Sequence, residues 1–434
     1  MIKKILFVEP NFPIPSKSKN HKNFLPIGLL KLHDYYKSQG HKTKLVRGNR
    51  NRRDIGTRFI PDQIMITSLF TYWSEYFWEA VKFYRHNYPD SEIITGGIYV
   101  SLMGDNLEFK RKLRKYCAKA HFGLHKSAEK YAINNPLDYS LLSNPNPIDY
   151  QIIHTSRGCT RTCDFCGTWK IEPDFTIKKT IKNEIQKRKI VFYDNNLLKN
   201  ENIEDILREL IELKKQRKIL WCESQSGFDG RILLEKPKLA KLLKQAGFKA
   251  PRIAWDWGYQ EHNKIKKQLD ILVNGGFRYD DIFIFMIYNW DIPFEEMEEK
   301  RIKCWEWNTQ IADCRYRPLD QTYDYYHPKK SQTSLDYHIH ENWTDTLVKQ
   351  FRKNVRRQNI CIRQEIKFYS KDFELKKVDK KIFIKTKKMK REEVEKFLNR
   401  LKIKYWFPGD ITYPNDMNKS FQDKPKTILK EIYS

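Results

Sequence analysis

Short apolar runs alternate with longer amphipathic stretches along the first part of this chain. The run Ile5-Leu6-Phe7-Val8 follows two lysines and stops at Glu9-Pro10-Asn11. It is too short for a leader or a membrane span and predicts a buried strand over residues 3–8. Residues 42–46, 63–69 and 92–100 are expected to form further strands. Between them, residues 26–40 predict a helix, with Pro26 near its start, Gly40 at its end, and Leu29, Leu30 and Leu32 as its apolar side. Residues 73–88 predict another. Strands separated by helices imply a parallel sheet covered on both faces, and such sheets bind ligands beyond the carboxyl ends of their strands.

Turn-forming residues punctuate the chain next, in Asn134-Asn135-Pro136 and Asn144-Pro145-Asn146-Pro147. A second strand–helix series follows, with strands expected at 150–155, 189–193, 219–222, 252–255, 281–287 and 313–316. A helix over 203–215 places Ile203, Ile206, Leu207, Leu210 and Ile211 at helical spacing behind Asn202, an N-cap residue type. Another runs from Pro237 to Gly247, proline in front and glycine behind. Six repeats suggest a partial barrel, whose chemistry belongs at the carboxyl ends of its strands. Polar and aromatic residues gather at those ends: Asp194-Asn195-Asn196, Glu223-Ser224-Gln225-Ser226, Asp256-Trp257-Gly258, Tyr288-Asn289-Trp290-Asp291, and Arg315, Arg317 and Asp320. Residues 331–434 fit neither series. Helices over 343–359 and 392–401 flank an alternation of apolar residues and lysines at 380–390. This suggests a small α+β region, either a substrate cap or a solvated lid.

Cys159, Cys163 and Cys166 form a C-x3-C-x2-C triplet directly after the first strand of the second series. Three thiolates on one short loop can hold three irons of a four-iron cluster and leave the fourth open to a small molecule. Structural zinc wants four ligands, often as two cysteine pairs, and no second pair follows. Cys222, Cys304, Cys314 and Cys361 stand alone, and His154 is the only imidazole nearby. Eight cysteines in 434 residues do not make a disulfide scaffold. Cluster ligation is the favoured reading, with zinc or inert thiols as the alternatives.

The triplet, with Phe165 just before its last cysteine, resembles the signature of radical SAM enzymes, which use S-adenosylmethionine. The resemblance implies a 4Fe-4S cluster on Cys159, Cys163 and Cys166, whose open iron binds the amino and carboxylate groups of SAM. It also implies reductive cleavage of SAM to a deoxyadenosyl radical and an electron donor such as flavodoxin or ferredoxin. Phe165 joins the candidate SAM residues. Asp194 and Asn195 are candidate partners of the SAM ammonium, Arg231 or Arg315 of its carboxylate, and Gln225 or Asp256 of its ribose. The family's usual motif after the second strand has paired glycines and a glutamate, which Asp194-Asn195-Asn196 replaces here.

The first series carries a second resemblance. Thr67-Ser68-Leu69 and Gly96-Gly97, separated by residues 70–95, are similar to the S-x-L…G-G fingerprint of cobalamin-binding domains, with Thr67 in the serine place. The D-x-H-x-x-G loop of those domains falls on Asn23-Phe24-Leu25-Pro26-Ile27-Gly28. Only Gly28 survives there, and Leu25 supplies no ligand to cobalt. Gly28, Thr67, Leu69, Gly96 and Gly97 are thus the candidate cobalamin residues. With cobalamin, the resemblance implies a methyltransferase acting on an unknown substrate. Without it, the radical abstracts hydrogen from substrate. The expected fold is α/β: a Rossmann-like (flavodoxin-like), cobalamin-binding-like domain over 1–140, a partial (β/α)6 TIM-type barrel over 149–330, and a basic α+β region over 331–434.

Composition changes this picture little. Lys and Arg number 82 against 54 Asp and Glu, a net charge of +28. Residues 331–434 hold 25 of the cations and 14 of the anions, an excess of 11 that leaves 17 for the rest, so no segment owns the charge. It supports a nucleic-acid or acidic partner weakly. A basic zinc-containing RNA-binding protein is the alternative of a different class. No run of about 18 apolar residues exists, so no membrane span is expected. Reduced thiols suit a cytoplasmic setting.

Overall fold

A computed structural model describes residues 1–14, 26–142, 148–371 and 380–414. The opening apolar run forms β1 (Lys4–Glu9), in which Ile5, Leu6, Phe7 and Val8 are fully buried. β1 pairs in parallel with β2 (Lys42–Arg47) and β3 (Gln63–Ser68). β4 (Glu92–Gly97) and β5 (Ala118–Ala120) extend the sheet to the order β2-β1-β3-β4-β5. A strand apolar on both sides needs cover on both, and helices supply it. Leu29 of helix Ile27–Ser38 packs with Ile5, Phe7 and Met65, while Phe77, Val81 and Tyr84 of helix Ser74–Asn87 pack with Leu6, Val8 and Ile64.

The strand expected at 92–100 stops early. Gly97 takes φ +97 and turns the chain into a helical segment, Ile98–Leu102, and the Val100 N–H donates to Ser68 Oγ. β5 is a strand whose Ala-Lys-Ala sequence offers no apolar run to reveal it.

The second series begins with β6 (Tyr150–Ile153), which leads into a hairpin of β7 (Ser156–Arg157) and β8 (Thr176–Ile177) that brackets the cysteine loop. β6 pairs in parallel with β9 (Lys189–Phe192), and β9 with β10 (Trp221–Ser224). β11 (Arg252–Ala254), β12 (Phe283–Tyr288) and β13 (Gln310–Arg315) make a second parallel sheet. Single parallel bridges, Cys222 with Phe248 and Phe228 with Ile253, join the two sheets. All six expected strands are present, shifted by a few residues at their ends. Among the described residues β6 and β13 do not pair, so the row is open and no barrel closes.

Helices Ile203–Lys215 and Lys238–Ala246 bury Ile206, Leu207, Leu239 and Leu243 in the largest core, and the second ends at Gly247 with φ +90. Asn202 occupies the N-cap position without a side-chain capping bond, and its own N–H donates to Asn200 Oδ1. Ile27 and Leu30 of helix Ile27–Ser38 pack with Tyr150, Ile152 and Val191. One helix therefore serves both sheets and sets the first against the second. No helix among the described residues is long and apolar enough to cross a membrane.

Among its described residues the C-terminal region is helical where an α+β arrangement was expected. There, helices Asp345–Gln364, Lys380–Thr386 and Arg391–Arg400 are accompanied by the isolated antiparallel bridge of Tyr369 with Trp406. In the alternating stretch, Ile382 and Thr386 are buried while Ile384 is 70% exposed. Buried positions four apart follow the helical period, not the two-residue period of a strand. Arg301, on helix Phe294–Glu306, fastens this region to the open row through its bonds to Glu298, Gln358 and the Pro408 and Asp410 carbonyls.

Candidate functional site

The cysteine loop begins where β6 ends, and neighbouring strand ends hold it. Asp194, just past β9, is fully buried. Its Oδ1 accepts from the Thr155 N–H at 2.9 Å, Thr155 Oγ1 at 2.6 Å, the Ser156 N–H at 2.6 Å and Ser156 Oγ at 2.8 Å. Burial pushes its carboxyl above the ordinary range, and these donors oppose the rise. Glu172, on the far side of the loop, accepts from the Arg157 guanidinium, from the Gly158 N–H at 2.8 Å and from the Asn195 amide at 3.2 Å. Gly158 has φ +76, and a Cβ there would lie 2.4 Å from the Asp174 carbonyl, so only glycine fits. Asp229 accepts from Arg161 at 3.0 Å, Asn196 at 3.1 Å and Arg231 at 3.0 Å.

Cys159, Cys163 and Cys166 are half-buried and free. The Arg161 N–H lies 3.4 Å from Cys159 Sγ, and Cys166 Sγ lies 3.3 Å from Thr168 Oγ1, which is itself 3.3 Å from Asn195 Oδ1. Trp169 Nε1 donates to the Cys163 carbonyl at 3.2 Å. Burial, then the charges of Cys166, Asp256 and Cys159, push the Cys163 thiol up. A bound cation reverses that order and favours the thiolate. Soft sulfur donors on one loop, with the Arg161 N–H turned toward Cys159, suit iron–sulfur ligation. Among the described residues no three His, Cys, Asp or Glu side chains converge on one metal ion.

Asp256, beyond β11, belongs to the same mouth, since its charge acts on Cys163 and Cys314. Burial pushes its carboxyl up to about 6, against Lys300 and Arg231. Lys300 is fully buried and donates to the Trp255 and Trp257 carbonyls at 2.8 and 2.7 Å, which fixes the turn carrying Asp256. Burial pushes that ammonium down to about 8, with Asp256 the largest opposing influence. Because the folded pKa of Asp256 exceeds the unfolded one, the folded protein binds the extra proton, and this group adds stability as pH falls from 7 toward 4. In metal-free protein, Asp256→Asn is expected to add about 1–3 kcal/mol at pH 7.5 and to flatten the change between pH 7.5 and 5. Urea midpoints at the two pH values check it.

The candidates from the sequence divide. Asn195, Arg231 and Asp256 border the loop, with Phe165 6.4 Å from the Trp290 ring. Gln225 follows β10 and is half-buried, its N–H donating to the Phe192 carbonyl. Asp194 is not free for an ammonium, because Thr155 and Ser156 occupy it. Arg315 is engaged on one side: Nη2 sits on both Asp324 oxygens at 2.7 and 2.6 Å and the guanidinium lies between the Tyr326 and Tyr337 rings. Its Nε and Nη1 are buried without a partner among the described residues, and the residue lines the cavity at the meeting of the two sheets' strand ends. Glu172, Asp229, Thr168 and Lys300 were missed. Only Asp229 carried a signal, as an N-cap type before helix Gly230–Glu235.

The cobalamin candidates do not make a cradle. A Cβ at Gly97 would lie 2.2 Å from the Ser68 carbonyl, and one at Gly96 would meet the His121 carbonyl at 3.5 Å. Gly97 therefore serves close chain packing, while the contact at Gly96 is an ordinary van der Waals one. The hydroxyl that matters is on Ser68, bonded to the Gly96 carbonyl at 2.8 Å, and not on Thr67. The Leu69 carbonyl is taken by the Tyr99 N–H at 2.9 Å. Gly28 lies exposed in the first turn of a helix with nothing around a Cβ position. Asn23, Phe24 and Leu25 lie outside the described residues.

A cavity of about 380 Å³ opens where the two sheets' strand ends meet. Phe70, Tyr72 and Leu102 line it from the first sheet, Phe165 and Thr168 from the cysteine loop, and Cys314 from β13. Fold and site together define an α/β protein of parallel sheets with a three-cysteine loop at the strand ends. No protein-family model matches the chain, and no curated protein matches it either.

Proposed function

We propose that this chain is a radical SAM enzyme that holds a 4Fe-4S cluster on Cys159, Cys163 and Cys166 and works without cobalamin. The observation that carries the reading is three free thiols at the carboxyl end of β6, on a loop fastened by side chains from neighbouring strand ends. The order β2-β1-β3-β4-β5 supports reading the first sheet as Rossmann-like (flavodoxin-like), and the open six-strand row supports a partial (β/α)6 TIM-type barrel. When bound, the cluster supplies an electron that cleaves SAM to a radical able to take hydrogen from substrate.

The chain's residues position and shield. Asp194 and Glu172 hold the two ends of the loop. The Arg161 N–H donates toward Cys159 Sγ, which stabilises thiolate over thiol, while Thr168 Oγ1 accepts from Cys166 Sγ and donates to Asn195. Arg231, exposed beside Asp229, would meet the carboxylate of SAM, and Asp256 or Gln225 its ribose, while Asn195 is already held by Thr168 and Glu172. Substrate enters the cavity behind Phe165, whose aromatic lining excludes water. The electron comes from a donor such as flavodoxin or ferredoxin, and the net charge of +28 suits an acidic one.

Anaerobic purification followed by iron, sulfide, zinc and cobalt counts on one sample tests this. Roughly four irons and four sulfides per chain are expected, with cobalt absent. Cys159→Ala, Cys163→Ala and Cys166→Ala should each lose most of the iron. One zinc per chain without sulfide would end the proposal.

A further inference from the structure

A second cavity, of about 510 Å³, lies on the other side of Ile171, between helix Lys126–Asn134 and the strands β6 and β8. Its floor is charged, yet each of its carboxylates is already matched. Glu129 pairs with Lys31 at 2.6 Å, Glu172 with Arg157, Glu184 with Lys178 at 2.7 Å, and Asp174 with Lys126 at 3.4 Å.

His154 is left with work undone. It is 7% exposed and lines the cavity. Its Nε2 stands 2.6 Å from Arg157 Nη1. A guanidinium has no lone pair to offer, so Nε2 accepts and the ring proton sits on Nδ1. Burial and the cations Arg157, Lys31 and Lys178 hold the ring neutral. The Nδ1–H has no hydrogen-bond partner among the described residues. Arg157 Nε is buried and also unpartnered. Both are donors, and Arg157 Nε is a buried donor left unpaired, which is costly. The basic side chains lining the cavity are Lys31, Lys126, Lys130, Arg157 and Lys178, five against four carboxylates, so one positive charge is in excess. The walls are apolar, with Phe122, Leu124, Ile153 and Ile177 among them.

We propose that this cavity binds a monocarboxylate with an extended apolar body, its carboxylate accepting from His154 Nδ1 and its chain lying along the apolar wall. Donors without acceptors select an anion over a cation. The excess charge selects an anion over a neutral alcohol, and the wall selects a chain over a bare ion. Arg157 also holds Glu172, which holds Gly158, so an occupant bears directly on the cysteine loop.

The site is tested by isothermal titration of the full-length protein with sodium decanoate below its micelle concentration, with decylammonium and decanol as comparisons. The measurement reads binding alone, so it stands whether or not the cysteines hold a cluster. Saturable one-to-one binding of decanoate is expected, at least about tenfold tighter than either comparison. His154→Phe should weaken it about tenfold, in line with a charge-assisted hydrogen bond. Ala132→Phe fills the cavity from a position only 7% exposed and should abolish binding while the far-UV spectrum is kept. The second variant decides the matter if His154→Phe fails to fold. Equal binding of decanol or decylammonium overturns the proposal, as does decanoate binding that survives Ala132→Phe, or no saturable binding at all.

Discussion

Arg301→Ala is expected to lower the stability of this protein by about 3–5 kcal/mol, read as a fall in the urea midpoint. Arg301 is fully buried, and its guanidinium has all its N–H groups engaged. Nε and Nη2 donate to the two Glu298 oxygens at 2.8 Å each, Nη1 to Gln358 Oε1 at 2.8 Å and to the Pro408 carbonyl, and Nη2 also to the Asp410 carbonyl at 2.7 Å. Removing the arginine strands a fully buried Glu298, whose carboxyl burial already pushes up and Arg301 chiefly holds down. Breaking such a pair costs far more than replacing both members. The double variant Glu298→Met, Arg301→Met should therefore recover much of the loss. In Arg301→Ala the raised Glu298 pKa means that the folded state binds the extra proton. That variant's deficit should shrink as pH falls from 7 to 5. Faster amide exchange at Trp406–Thr412 is also expected, because the lost bonds reach that segment. An unchanged midpoint would show that the latch contributes nothing.

Asp194→Ala should cost about 2–5 kcal/mol, because the Thr155 and Ser156 N–H groups, buried beside it, lose their only strong acceptor, at about 1–3 kcal/mol each. The loop bearing Cys159 starts three residues beyond Ser156, so the iron held after reconstitution should fall too. Asp194→Asn separates anchoring from ligand binding. Oδ1 carries four of the five bonds to Thr155 and Ser156, and an amide oxygen in its place keeps them. The asparagine variant should stay within about 1 kcal/mol of the parent and retain SAM affinity by equilibrium dialysis. A large loss of SAM binding with stability intact would make Asp194 a ligand residue and refute its anchoring role.

Much of the backbone was legible in advance because its signals are local. The apolar runs of β1, β9 and β12, the Pro237–Gly247 helix and the C-x3-C-x2-C spacing each occupy a few adjacent residues, and short-range sterics and burial read them directly. The errors share a different cause. At 380–390 the alternation of lysine and apolar residues mimics a strand, but the neighbouring core takes Ile382 and Thr386 on one side of a helix. Gly97 looked like room for a cofactor, and Ser68 of the adjacent strand fills it. Asp194 looked available, and partners 38 to 39 residues away consume it.

By itself, then, the order of residues determined two parallel α/β series and a three-thiol loop at a strand end, since periodicity and spacing along the chain specify both. Which charged groups remain free to meet a ligand was decided only in three dimensions. A carboxylate or guanidinium is available only if no buried donor or acceptor has claimed it first, and those claimants come from strands and helices far apart in the chain. Glu172, Asp229 and His154 acquire their roles only through the folding that brings Gly158, Arg161 and Arg157 within hydrogen-bond reach.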